Sequence, residues 1–335
     1  GEVLRNSLDG KGIFSDKIAS VIENQHIKNT WFTPEYVRMA IDAIANELTP
    51  GKLKKWTSAY PQLNRASEPM NIAVIMAGNI PAVGFHDMLS VLITGNNLKA
   101  KLSSKDPDIL PLFADILNSI NGDFENKITL TESQLSQFDA VIATGSDNSA
   151  RYFEYYFGKY PHIIRKNRNS IAILEGNENE EQLEALGKDI FSYYGLGCRN
   201  VSKIFVPDGY DLKELARKWN KFETAISNIK YANNYDFNKA VYLVNKEKFL
   251  DTGYLLIKQD SGLSSPVSVL YYETYSSNDD IINITETMKD KIQCIAGKNN
   301  LPFGSSQYPV LWDYADGVDT LQFLTEKKLS ENNLL

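Results

Sequence analysis

Asn71-Ile72-Ala73-Val74-Ile75-Met76-Ala77-Gly78-Asn79-Ile80-Pro81 opens on a β-rich apolar run and breaks into a corner of small and turn-forming residues. A short run of this kind, bounded by Gly, Asn and Pro, reads as a buried strand feeding a loop. An apolar helical pattern over 81–94 follows and is closed by Gly95. Asn97-Leu98-Lys99-Ala100-Lys101-Leu102 reads as the next strand, and Asp106-Pro107 opens a helix to about Ile120. Lys127–Leu130 and Asp139–Ala143 supply two further strands. The β-α-β-α-β order requires right-handed crossovers and predicts a mostly parallel, doubly wound sheet. In such a sheet a ligand lies where the strands run into their loops.

Upstream, Thr33-Pro34-Glu35 is a helix start, with a capping hydroxyl, a proline suited to the first turn and an acid facing the dipole. Val37, Ile41 and Ile44 continue it to about residue 47, where Pro50-Gly51 is expected to end it before a basic stretch with Lys54, Lys55 and Trp56. Downstream, a second alternation predicts a strand at Ser170–Leu174, a helix over 179–194 and a strand at Val201–Val206. Further strands are expected near 239–244 and 266–272. The Asn/Lys-rich stretch 219–238 and the Ser/Asn/Asp cluster 276–280 read as surface loops or helix ends.

At 335 residues and 43% hydrophobic content the chain has the composition of a globular protein. Its length suggests two domains at about 150 residues each. A net charge of −7 argues against generic binding to nucleic acid or anionic membranes. No apolar stretch is long enough for a membrane span, and no charged-then-apolar signal opens the sequence. Two cysteines, Cys198 and Cys294, are too few for a disulfide framework or a thiolate metal site. The expected compartment is a reducing cytoplasm.

Gly195-Leu196-Gly197-Cys198-Arg199-Asn200 lies between a predicted helix and a predicted strand. Two glycines let the backbone turn tightly and leave the thiol open to a ligand. A soft nucleophile whose own N–H can face a developing oxyanion suits carbonyl chemistry. A small buried hydrophobic thiol is the alternative on this context alone. Asn79 stands at the first strand's corner, as an amide donor or a helix cap. Lys99, Lys101 and Lys105 gather at the end of the second strand, as ligand-facing cations or a solvated edge. Thr144-Gly145-Ser146 closes another strand before a helix, where a phosphate could meet a helix N-terminus. Neither a G-x-G-x-x-G nor a P-loop is present. Arg165, Lys166 and Arg168 are read as a solvated basic turn, with binding of anionic phosphates as the alternative.

Taken in order, these pieces resemble the aldehyde dehydrogenase superfamily and, within it, acyl-CoA reductases related to the fatty acid reductase of bacterial bioluminescence (LuxC-type). The likeness rests on Gly78–Asp87, Gly95–Lys101, Ala143–Ser146, Arg168–Leu174 and Gly195–Lys203, and is extended by Pro302-Phe303-Gly304 and Asp313–Asp319. It implies two α/β domains with doubly wound parallel sheets: an NADP(H)-binding domain over 1–165 and a catalytic domain over 166–310. A C-terminal segment over 311–335, packing across a partner subunit in a homodimer or homotetramer, completes the implied architecture.

The resemblance makes Cys198 the nucleophile and Asn79 the side-chain donor of an oxyanion hole. It puts Lys101 on the cofactor's adenosine ribose and Thr144, Gly145 and Ser146 along the pyrophosphate. Ala150 stands where many members have a glycine. Ser104 lies near the position of an acidic residue in NAD-preferring members, and with Lys105 beside it would tolerate a 2′-phosphate, so NADPH is expected over NADH. The glutamate context of the hydrolytic branch is missing from the corresponding region, 162–168, and the nearest carboxylate to it is Glu175, 23 residues before Cys198. The implied reaction is reduction of a long-chain acyl-CoA or acyl-protein thioester to the aldehyde, with coenzyme A as leaving group and an acyl-protein synthetase as a partner. An acyl-phosphate reductase, a hydrolytic dehydrogenase and a nonenzymatic binding subunit are the rival expectations.

Overall fold

A computed structural model describes residues 1–64 and 68–326. The chain divides into two compact units, Gly1–Asn167 with Val310–Leu335, and Arg168–Pro309.

The first unit begins with helices α1 (Glu2–Leu8), α2 (Ser15–Lys28), α3 (Pro34–Glu47) and α4 (Pro50–Ser58). Then come β1 (Asn71–Ile75), α5 (Phe85–Ile93), β2 (Asn97–Lys101), α6 (Ile109–Ile120), β3 (Ile128–Thr131), β4 (Ala140–Thr144), α7 (Asp147–Phe157) and β5 (His162–Arg165). The five strands form a parallel sheet in the order β3-β2-β1-β4-β5. The two-residue side-chain period sorts each strand between two cores. Ile72, Val74, Leu98 and Ala100 pack with Ile18, Ile22, Val37 and Ile41 of the N-terminal helices and with Met88 and Phe113 of α5 and α6. Ala73, Val141 and Ala143 face the other way, toward Phe153 and Phe157 of α7. Helices therefore cover both faces, and the strand order reverses between β1 and β4.

Two local readings of the sequence change here. Pro50-Gly51 opens a helix instead of closing one: Thr49 accepts from the Lys52 N–H and Pro50 takes the first turn, as Thr33 and Pro34 do for α3. The helix expected from residue 81 starts only at Phe85, because Ala82 sits in the left-handed region at φ 58° and the Phe85 N–H closes a turn onto its carbonyl.

The second unit holds β6 (Asn169–Ile173), α8 (Glu180–Phe191), β7 (Val201–Pro207), α9 (Leu212–Arg217), α10 (Ile229–Val244), β8 (Leu250–Asp251), β9 (Leu256–Gln259), β10 (Val269–Tyr275), α11 (Asn278–Met288) and β11 (Ile292–Ala296). Its six-stranded sheet runs β11-β6-β7-β10-β9-β8, parallel except for the short β8. The strand expected near 239–244 is instead the end of α10. Asn228 caps this helix by accepting from Lys230 and Tyr231, and Tyr231, Tyr235, Asn238 and Tyr242 form its buried stripe. The strand expected at 266–272 lies a few residues later, as β10.

Residues 310–326, with α12 (Thr320–Thr325), belong to the first unit. Leu311, Tyr314 and Leu321 pack with Trp56 and Tyr60. Trp56 Nε1 donates to Tyr314 Oη at 2.7 Å, and Tyr60 Oη bonds Tyr314 Oη and Asp319, each at 2.7 Å. The part of the C-terminal segment described is thus fastened to its own unit. Residues 327–335 of that expected segment lie outside the described residues.

Candidate active site

The reversal between β1 and β4 assembles the expected cofactor residues on one edge of the first sheet. Register pairs Ile75 with both Lys101 and Ala143, so the loop after β1, Lys101 and the Thr144–Ser146 turn emerge side by side at the carboxyl ends. Asn79 is exposed in that loop. Gly78 beside it has no room for a side chain: a Cβ would fall 2.3 Å from Ser103 Oγ. The β1 and β2 loops therefore touch through the glycine. They are also tied by Asp106, which accepts the Ala82 N–H at 2.8 Å and so holds the left-handed turn there.

Ser146 caps α7 by accepting the Ser149 N–H at 3.3 Å. A Cβ on Gly145 would meet Ser149 Cβ at 2.8 Å and Phe153 at 2.9 Å, so the chain passes close over the start of an 11-residue helix. Ala150 is buried in that helix. Ser104 and Lys105 are exposed and Lys101 is half-buried. The one carboxylate of the 101–106 loop, Asp106, is buried and turned toward Ala82, and burial pushes it up to about 6. Hydroxyls, ammonium groups and a helix N-terminus, with no exposed carboxylate over 101–106, suit the phosphates and ribose of a dinucleotide. Lys99 does not join this set. Its ammonium donates to the carbonyls of Ser136 and Gln137, at 3.3 and 2.7 Å.

In the second unit, α8 is stopped by three consecutive left-handed residues, Tyr193 (φ 51°), Tyr194 (φ 56°) and Gly195 (φ 77°). Each non-glycine residue held there costs on the order of 1–3 kcal/mol, so the surroundings must enforce it. Both tyrosines are buried, and Tyr194 leans on the Tyr231 ring at 5.7 Å. The abrupt reversal delivers Cys198 to an exposed position just before β7.

The loop is pinned by residues to which its sequence assigned no role. Asn200, 2% exposed, accepts the Gly197 N–H at 2.8 Å and donates to the carbonyls of Asp189 and Ser192 at 3.1 and 2.7 Å. Ser170, fully buried on β6, donates to the Cys198 carbonyl at 2.9 Å. The Cys294 N–H and Sγ lie 3.2 and 3.0 Å from the same hydroxyl. Asp189, raised in pKa by burial, accepts the N–H groups of Gly304 and Ser306, at 2.6 and 3.0 Å. Arg199 donates to the Ser306 carbonyl at 3.4 Å. The Pro302-Phe303-Gly304 turn and the cysteine loop thus share one anchor at the end of α8. Asn200 was legible as a turn-forming Asn two residues after Cys198, whereas nothing local marks Ser170 or Asp189.

The basic turn 165–168 is solvated only in part, at Lys166, which is exposed. Arg165 is buried, pairs with Asp87 at 2.6 Å and donates to Ala315 O and Thr320 Oγ1. Lys166 pairs with Glu154 at 2.9 Å, and Arg168 donates to Ile292 O at 3.3 Å. Glu175 is exposed past the end of β6, where its N–H donates to Glu178. Among the described residues no cluster of His, Cys, Asp and Glu could hold a metal ion, and no helix is long and apolar enough to cross a membrane.

The fold is that of the aldehyde dehydrogenases. An aldehyde dehydrogenase from Physcomitrella patens, solved with succinate, superposes with a TM-score of 0.61 at 12% identity over 89% of this chain and 73% of its own. A Mycobacterium tuberculosis aldehyde dehydrogenase, solved with NAD+, gives 0.57 at 14% identity over 92% and 75%. Residues 29–279 match the family model of acyl-CoA reductase (LuxC), and the chain belongs to that family. It is 23% identical over 213 residues to the long-chain acyl-protein thioester reductase of Aliivibrio fischeri, covering 58% of this chain and 44% of that protein. The Photobacterium leiognathi long-chain acyl-protein thioester reductase 2 is 26% identical over 208 residues, covering 56% and 42%. The chain thus spans less than half the length of these relatives.

Proposed function

We propose that this protein reduces a long-chain acyl thioester, carried by coenzyme A or by a protein, to the fatty aldehyde. Family membership supports the reaction class, and the observation that carries the reading is the exposed Cys198 on a loop whose flanking peptide groups are held from below. The Cys198 thiolate attacks the thioester carbonyl, the C–S bond to the carrier breaks, and the carrier thiolate takes a proton from solvent. The acyl group is now a thioester of Cys198. A reduced nicotinamide cofactor, NADPH in our reading, would when bound supply the hydride that this carbonyl carbon takes up. The resulting thiohemiacetal expels Cys198 as thiolate and releases aldehyde. Negative charge builds on the substrate oxygen in both halves, where the Cys198 N–H donates. Asn79 is assigned the same task by the family likeness, each donor contributing about 3 kcal/mol when well aimed.

Lys101, Ser104, Lys105 and the Thr144–Ser146 turn would hold the cofactor's ribose and phosphates. Names of the family and of its relatives support both carriers; in the second case an acyl-protein synthetase would be the donor. The test is cofactor oxidation with acyl-CoAs of graded length and with an acylated carrier protein, in wild type and Cys198→Ala. We expect turnover and a Cys198 acyl adduct by mass spectrometry in the wild type, and neither in the variant. Full turnover by Cys198→Ala would refute the reading.

A further inference from the structure

The geometry points to Ser170 and Asn200 as positioning residues that grip the peptide group before Gly197 and the one after Cys198, and so set the direction of the Cys198 N–H between them. The assignment rests on the thiol chemistry proposed above, but not on the identity of the acyl carrier.

The two grips are complementary. Asn200 takes the Gly197 N–H, one residue before the nucleophile, and Ser170 takes the carbonyl of Cys198 itself. A peptide plane is rigid, so fixing its carbonyl fixes the plane it belongs to. With the plane before Gly197 and the plane after Cys198 both held, the torsions at these two residues are left with little range. The peptide between them, which carries the Cys198 N–H, is held at its Gly197 carbonyl by the Asn200 N–H at 3.0 Å. Each grip is also anchored in regular structure. Ser170 sits mid-sheet with Val201 as its partner in β7, and Asn200 closes onto the last turn of α8 through the Asp189 and Ser192 carbonyls. The Cys294 N–H donates to Ser170 Oγ at 3.2 Å and so holds that oxygen 2.9 Å from the Cys198 carbonyl. The left-handed run at 193–195 places strained backbone just upstream of the gripped loop.

The experiment compares two reactions of the same sulfur in the full chain. Iodoacetamide alkylates a thiolate by displacement at a saturated carbon and builds no oxyanion, whereas p-nitrophenyl acetate acylates it through a tetrahedral oxyanion. Ser170→Ala and Asn200→Ala should lower the acylation rate constant about tenfold, as small misplacements of a catalytic group do. Alkylation, measured across pH, should keep its midpoint and plateau within twofold. Ser170→Thr, which keeps the hydroxyl, should recover acylation, and Asn200→Asp, which keeps the Gly197 acceptor but loses both donors, should fall between. With acyl thioester and cofactor, kcat per alkylatable site should fall with KM unchanged.

Equal loss of acylation and alkylation would reduce both residues to structural supports and overturn the proposal. So would acylation unchanged in all four variants, or a wild-type thiol that is alkylated but never acylated. If wild type is acylated by the ester with the expected pattern but reduces no acyl thioester, the positioning assignment stands and the reductase reading fails.

Discussion

Asp106 links the loop that carries Ser104 and Lys105 to the corner that carries Asn79, and it does so at an electrostatic cost. Its carboxyl is buried, and burial outweighs the N–H groups of Ala82 and Ile109, raising it from 3.8 to about 6. The folded protein then holds this proton more tightly than the unfolded chain. Folding stability falls as pH rises from about 4 to about 6, and the full penalty is present at neutral pH. With 1.36 kcal/mol per unit, the ionised carboxylate costs about 3 kcal/mol at pH 7.5. At pH 4.5, where the folded group is mostly protonated, only about 1 kcal/mol remains.

Asp106→Asn cannot ionise, and its amide oxygen still accepts the Ala82 N–H. Any fixed loss is the same at both pH values and cancels. The variant's stability relative to wild type should therefore improve by about 2 kcal/mol between pH 4.5 and pH 7.5. Urea unfolding followed by tryptophan fluorescence gives the two differences, three of the four tryptophans, Trp31, Trp56 and Trp312, lying in the first unit. A stability difference that is flat with pH, or that moves the opposite way, would refute the argument that burial dominates this site.

Three other outcomes are expected. Asn79→Ala should lower kcat for thioester reduction about a hundredfold with alkylation of Cys198 unchanged, as loss of an oxyanion donor does; an unaltered kcat removes Asn79 from that role. Ser104→Asp places a carboxylate in the exposed β2 loop and should weaken NADPH at least tenfold relative to NADH, at an effective dielectric near that of a protein surface; equal weakening of both, read by fluorescence titration, would show that the loop does not meet the 2′-phosphate. Arg165→Met strands the buried Asp87 carboxylate and frees Ala315 and Thr320, for a loss of about 3–5 kcal/mol in urea unfolding. Arg165→Met with Asp87→Leu should recover most of it.

The first sheet was readable because its signals are local. Ile72 and Val74 against Ala73 and Ile75, and the small-residue corners after β1 and β4, are decided within a few positions of the strand that bears them. The failures have equally local causes with distant arbiters. Thr49-Pro50 carries the same start signal as Thr33-Pro34, but adjacency to α3 made the proline look like a stop. Ala240–Val244 is β-rich over five residues and becomes helical because it prolongs a tyrosine stripe begun at Tyr231. Arg165 looked solvated because its partners, Asp87, Ala315 and Thr320, lie 78, 150 and 155 residues away.

The site divides along the same line. Cys198 and its glycines announce themselves in sequence, since a nucleophile needs a particular atom on a particular turn. What holds that turn does not. A serine on β6 reads as an ordinary strand residue until the chain has folded and brought it to the Cys198 carbonyl, 28 residues on. Asp189 is an unremarked acid on a helix until Gly304 and Ser306 arrive, 115 and 117 residues later. Chemistry is concentrated in a few residue types, but positioning can be done by any hydrogen-bonding side chain within reach. If that is the division of labour here, substitutions at Ser170 and Asn200 should degrade acylation by degrees and spare alkylation, whereas Cys198→Ala ends both at once; a graded loss at Cys198 or an abrupt one at Ser170 would show the roles reversed.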